Sequence, residues 1–249
     1  MGKLKDKIIN KKLWIVLIII LLLVAILKFS VDKIVELHPN SDEKGSIASL
    51  KEAYAPLSTV TIKGTKDNVD YFLNLIGGKK IDIESEDMDK CFNITPEFVT
   101  DNSEYQVFKF ADTAESFLLY QDNIYQIGHN KRGKGITNFA LADANQDGVP
   151  ELFYSYEWSI SNVLRSNVAY FDPINKKEIG LNKNYREEII AIVGTNNNDE
   201  LRVYKGNMSS YEDFTNFTIT PKTELDLIVY HDGVAKLVTR VEIEAFENK

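Results

Sequence analysis

The chain of 249 residues has one cysteine, Cys91, and only three histidines, His38, His129 and His231. A single thiol excludes an intrachain disulfide framework and any CxxC-based zinc or redox site. No HExxH, no GxSxG and no class-A Ser-x-x-Lys motif set is present, so the common hydrolase signatures are missing. Basic residues are outnumbered 29 to 37, giving a net charge of −8. A nucleic-acid partner is thereby disfavoured, because it would need a basic face to neutralise phosphates. Hydrophobic residues at 44% and charged residues at 27% do not suit a disordered chain, a collagen or a polytopic membrane protein.

One long apolar run is present. Leu13–Leu27 is unbroken, and with Lys28 snorkelling outward the run extends to Val31. That makes nineteen residues, inside the roughly 17–25 a membrane-spanning helix needs. Lys3, Lys5, Lys7, Lys11 and Lys12 precede it against Asp6 alone. Such a basic flank stays in the cytoplasm, so residues 13–31 read as a single-pass anchor at the cell membrane with the bulk of the chain extracytoplasmic. A cleaved signal peptide is the rival, but its exit, Lys28-Phe29-Ser30, lacks an A-x-A pattern. Six of the 29 basic residues and one of the 37 acids precede residue 32, so 32–249 carries a net charge of −13. A large exported domain without disulfides, rich in Lys and Asn, suits a bacterial surface, and a Gram-positive one.

Three segments follow the cytoplasmic tail (1–12) and anchor. Residues 32–46 read as a stalk, and 47–104 as a small α/β portion. Within that portion Ile47–Tyr54 suggests a helical turn. Thr65–Ile76 suggests a helix capped by Thr65 or Asp67 and ended by Gly77-Gly78. Ser85–Cys91 suggests a further turn. Residues 105–249 read as mostly β: Tyr105–Phe110, Phe117–Tyr120, Ile124–Ile127, Ile136–Ala142, Leu152–Tyr156, Val168–Phe171, Ile189–Val193, Leu201–Tyr204, Phe217–Ile219, Leu225–Tyr230 and Ala235–Ile243. Gln121-Asp122-Asn123, Thr195–Asp199 and Asp232-Gly233 mark turns. Short strands at this spacing favour an antiparallel sandwich, a barrel or a partial propeller.

The sharpest motif is Asp143-Ala144-Asn145-Gln146-Asp147-Gly148-Val149-Pro150-Glu151. Side-chain oxygens fall at positions 1, 3, 5 and 9, with Gly at 6 to allow a sharp turn. Calcium takes six to eight oxygens, and alternate residues of a curled loop can supply them. An EF-hand would need Glu at position 12, where Tyr154 stands, and the flanks read as strands. The alternative is a hairpin turn with no ion.

This D-x-N-x-D-G-x-x-E loop between Gly135–Ala142 and Leu152–Tyr156 resembles the FG-GAP/VCBS calcium repeats of bacterial surface proteins. The wider segment, with Trp158, Arg165-Ser166 and Tyr170-Phe171-Asp172, looks like a single-copy version in uncharacterised membrane-anchored Gram-positive proteins. The resemblance covers about 120–180. It implies calcium held by Asp143, Asn145, Asp147 and Glu151 through side chains and by Val149 through its carbonyl, weakly and structurally.

Weaker constellations remain. Gly128–Gly135 is a basic, glycine-rich loop that could hold an anion or simply join strands. Trp158, Arg165 and Ser166 could line a ligand pocket, or Trp158 could pack over the sheet. Cys91 follows the acidic run Glu84–Asp89, which would raise its pKa. The leading expectation is a non-catalytic, calcium-stabilised module for binding or assembly, with an envelope glycan or protein as partner. Two other classes stay open: an envelope hydrolase using unidentified acids, and a sensor or accessory subunit of a membrane complex.

Overall fold

The computed structural model describes residues 50–128, 133–231 and 233–247. The tail, anchor and stalk, and residues 129–132 of the basic loop, lie outside the described residues. Among the described residues no helix is long and apolar enough to cross a membrane.

The described residues are mostly β, in three antiparallel sheets. Sheet I is β3 (Cys91–Asn93), β4 (Gln106–Phe110), β5 (Ser116–Tyr120) and β6 (Asn123–Gln126). Sheet II orders β1 (Lys51–Tyr54), β7 (Gly135–Asp143), β8 (Glu151–Ile160), β9 (Val163–Asp172) and β10 (Lys177–Arg186). Sheet III orders β11 (Ile189–Gly194), β12 (Leu201–Asp213), β13 (Asn216–His231) and β14 (Val234–Val238), with β2 (Val60–Lys63) on the far half of β13. Each sheet therefore contains a meander of four consecutive strands. Three helices, α1 (Val69–Lys79), α2 (Glu97–Asn102) and α3 (Arg240–Glu247), complete the description.

Several expectations need correction. Residues 50–104 carry both strands and helices and share sheets with the rest of the chain, β1 pairing with β7 and β2 with β13. Lys51–Tyr54 is a strand rather than part of a helical turn. Thr65 and Asp67 do not cap α1: they bond each other, Thr65 Oγ1 donating to Asp67 Oδ2 at 2.9 Å. The helix starts after Asn68, which is left-handed, and runs through Gly77-Gly78 to a left-handed Lys80. In Ser85–Cys91 only Met88–Lys90 turns, as a 3₁₀ segment. Ala235–Ile243 splits into β14 and α3, because Thr239 and Glu242 form a capping box: Thr239 N donates to Glu242 Oε2 at 2.6 Å, and Glu242 N to Thr239 Oγ1 at 3.2 Å.

The core follows from period-2 alternation on sheet II. Ala140, Phe153, Val168 and Tyr170 face Ile190, Ile192, Leu201 and Leu237 of sheet III. Phe139, Leu141, Leu152, Tyr154 and Phe171 face the other way, against Val107, Leu118, Val60 and Phe217. A third cluster seals α1 onto sheet I, where Phe72 stacks on Phe108 with ring centroids 4.1 Å apart. Burying each such ring contributes about 1.5–3 kcal/mol.

A row of polar side chains joins sheets II and III. Asn138 on β7, Ser155 on β8 and Ser166 on β9 are all buried. Asn138 Oδ1 accepts from Ile192 N, Ser155 Oγ donates to Ile190 O at 3.3 Å, and Ser166 Oγ donates to Glu188 O at 2.6 Å. Gly194 N then donates to Pro56 O at 3.0 Å. β11 thus crosses three neighbouring strands, and side chains supply the bonds that its outer edge would otherwise lack.

Sheet I meets sheet II differently. Lys109 on β4 is wholly buried, donates from Nζ to Ile136 O at 2.7 Å, and lies 5.3 Å from the ring centroid of Phe217. Burial pushes its amine down to about 7. Nearby Asp213 and Glu157 pull the other way, and Lys134 adds to the lowering.

Candidate functional site

The nine-residue motif is the loop between β7 and β8. Asp143 closes β7, Glu151 opens β8, and Glu151 pairs with Ala142 across the ladder. Gln146 and Gly148 take positive φ, 61° and 84°, which curls the loop back on itself. A Cβ on Gly148 would meet nothing within 4 Å, so its requirement is backbone conformation and not space.

The curl turns at least one side-chain oxygen of each of Asp143, Asn145, Asp147 and Glu151 onto the loop's own amides. Asp143 Oδ1 and Oδ2 accept from Asp147 N and Gly148 N, each at 3.0 Å. Asn145 Oδ1 also accepts from Asp147 N at 3.0 Å, and Asp147 Oδ1 from Val149 N at 2.8 Å. Glu151 Oε2 accepts from Ala144 N at 2.9 Å. Tyr105 Oη fastens the loop to the core by donating to Pro150 O at 2.8 Å. The Val149 side chain is exposed.

Glu151 is buried, and burial pushes its carboxyl up to about 8. Asp147 and Asp143 push it further the same way, against the lowering by the Ala144 amide. The donor set is all oxygen with three carboxyl groups, which suits a hard divalent cation. Enclosure is less complete: among the described residues no three His, Cys, Asp or Glu side chains gather closely enough to hold a metal ion. The loop's donor chemistry fits calcium, while its carboxylates stand engaged with amides.

Beside the loop lies a polar cavity of about 150 Å³, lined by Asn145, Glu151, Tyr170, Asp172, Asn175 and Tyr230 among others. The Asp172 oxygens accept from Ile174 N, Asn175 N and Asn175 Nδ2.

Trp158, Arg165 and Ser166 are not brought to one place. Trp158 and Arg165 are cross-strand partners, with the guanidinium carbon 5.9 Å from the ring centroid, and Trp158 Nε1 donates to Asn167 Oδ1 at 2.7 Å. Ser166 alternates to the opposite face and belongs to the row that meets β11. In the basic loop, Gly128 N donates to Glu178 Oε2 at 2.7 Å. Lys134 pairs with Glu157 at 2.7 Å, so it is not held out for an anion. Cys91 is buried in β3, and burial, not the acidic run, pushes its thiol up to about 12; Lys66 partly offsets this.

Glu157 is what sequence reasoning missed. It alternates with Phe153 and Ser155 on β8, and its acidity at an inward-facing position was the available signal. Comparisons with family models, curated proteins and solved structures give no match.

Proposed function

We propose that the chain is a membrane-anchored, extracytoplasmic protein whose β-rich domain is a non-catalytic module for binding or assembly, stabilised by calcium at Asp143–Glu151. The observation that carries the reading is the curl of the β7–β8 loop. The side chains of Asp143, Asn145, Asp147 and Glu151 all turn inward, and three of the four are carboxylic acids. Asp143, Asn145, Asp147 and Glu151 would hold the ion, with the Val149 carbonyl as a fifth donor. The ion would supply positive charge where Glu151 is buried beside two other acids. Anchoring rests on Leu13–Val31 and its basic flank.

At about millimolar calcium, a site with a dissociation constant near 10⁻⁴ M would stabilise the fold by roughly 1.4 kcal/mol. For a chain of this size that raises the melting temperature by about 3–6 °C. The test is melting of the full chain in mild detergent, with EDTA and with calcium, beside Asp147→Ala. Calcium should raise the melting point of the wild type and leave the variant unmoved. An unchanged wild type, or an equal rise in both, would reduce the loop to an ion-free hairpin turn.

A further inference from the structure

An open groove of about 540 Å³ lies at the other end of β8. Glu151 and Glu157 are six residues apart on that strand, so the groove and the loop are separated by about 20 Å. Its walls come from four separate segments. Asp112 and Thr113 belong to the β4–β5 turn, and Gly133 and Lys134 to the approach to β7. Glu157, Ser159, Asn162 and Leu164 come from the β8–β9 hairpin, and Phe214 from the β12–β13 turn. A volume within about 300–1,000 Å³ is typical of small-molecule sites.

Glu157 sets the chemistry. Its side chain is 3% exposed. Both bonds made to it go to one oxygen: Oε1 accepts from Lys134 Nζ at 2.7 Å and from Lys134 N at 3.3 Å. Among the described residues nothing donates to Oε2. Oε2 is not sealed among the buried atoms: it opens on the groove it lines, where a donor can reach it. The surroundings choose among donors. Lys134 already neutralises Glu157, which removes the drive for a cation, and Asp112 disfavours an anion. Phe214 and the exposed Leu164 offer apolar surface. Ser159 and Asn162 offer a hydroxyl and an amide at the rim, matching an occupant that both donates and accepts.

We propose that this groove binds a neutral, hydroxyl-rich ligand, a short glycan, with Glu157 Oε2 accepting from one of its hydroxyls. The proposal rests on the reading of the domain as a binding module and is independent of calcium. It moves the ligand site away from Trp158 and Arg165, which alternate to the opposite face of the sheet from Glu157.

The experiment is titration of the full chain, in a detergent free of sugar head groups, with cellotriose, maltotriose and tri-N-acetylchitotriose. Spermidine and inorganic phosphate serve as charged counter-probes. At least one neutral sugar should bind, at least tenfold more weakly to Glu157→Gln, and more weakly by about threefold to Asn162→Gly, which keeps the positive φ of that turn. Asp147→Ala should bind it as the wild type does. Should Glu157→Gln melt early, Asn162→Gly decides. The proposal is overturned if no sugar binds the folded chain, if the variants bind equally well, or if spermidine or phosphate binds instead. A failed calcium response in the melting test leaves a positive sugar titration standing, and the reverse also holds.

Discussion

Two seams hold the three sheets together, and they solve the same problem by opposite means. Between sheets II and III, Asn138, Ser155 and Ser166 reach across as neutral groups and satisfy backbone atoms of β11 and its approach. Asn182 on β10 adds a two-bond clasp on Leu237, accepting from its N at 2.8 Å and donating to its O at 3.2 Å. Between sheets I and II the crossing is one amine, Lys109, on one carbonyl, Ile136 O. Neutral side chains lose little by leaving water once paired. A buried ammonium loses a great deal unless it sheds its proton. The contacts of the Asn138–Ser155–Ser166 row should therefore be insensitive to pH and the Lys109 contact sensitive to it; a charged clasp, Lys183 and Tyr185 of β10 on Asp226 of β13, lies apart from that row on the same seam.

The comparison breaks most visibly at Asn138. Asn138→Leu keeps the volume and leaves the buried Ile192 N–H unpaired, which should cost about 2–3 kcal/mol, read as a lower denaturant midpoint with an unchanged slope. A cost below about 0.5 kcal/mol would mean the row of side chains is not what holds β11. Lys109→Met addresses the other seam. With a folded pKa of about 7 against an ordinary 10.5, the folded chain binds fewer protons than the unfolded one between those values. Stability should then rise with pH across pH 7–10.5, by up to about 1.4 kcal/mol per unit, while below 7 the full penalty is present. Denaturation at pH 7 and 9 should show that rise in the wild type and a flatter profile in Lys109→Met; equal slopes would put the titration elsewhere.

Glu188 carries both kinds of contact on one residue. Its carbonyl is held from inside by Ser166, and Ser166→Ala should cost about 1 kcal/mol. Its carboxylate is held from outside by the half-exposed Lys205 at 2.9 Å, and Lys205→Ala should change stability by less than about 0.5 kcal/mol. Chemical denaturation of the two variants side by side ranks them, and reversal of that order would contradict the inside–outside distinction.

Much of the strand pattern was legible because inward positions are apolar: Ile136–Ala142, Val168–Phe171 and Ile189–Val193 lie within β7, β9 and β11. The Gln121-Asp122 turn was legible too, both residues taking positive φ. β10 was not. It is an edge strand, and of its ten residues only Leu181 and Tyr185 are buried. Pro221 hid the continuity of β13, since a proline argues against a central strand. It stands where β2, paired to 216–219, has ended and β14, paired to 227–231, has not begun, so its missing N–H deprives no third strand. Thr239-Arg240-Val241-Glu242 was a readable helix start passed over for the apolar residues around it. At the loop, residue types and spacing were legible and the inward curl follows from them. Glu157 was hidden for a different reason: 36 acids follow residue 31, and its one signal, an acid in phase with Phe153 and Ser155, stands out only once the inward face of β8 is known.

The row of side chains along β11 also has a direction in time. Pro56, Asn138, Ser155 and Ser166 all precede Ile189–Gly194 in the chain. As the polypeptide leaves the ribosome from its N-terminus, β7, β8 and β9 can assemble before β11 emerges. The newest strand meets a receptive surface at once, and the interval in which its bare edge could pair with a neighbouring nascent chain is short. A rearranged chain order that placed β11–β14 first would keep every contact of the finished fold and lose that protection during synthesis.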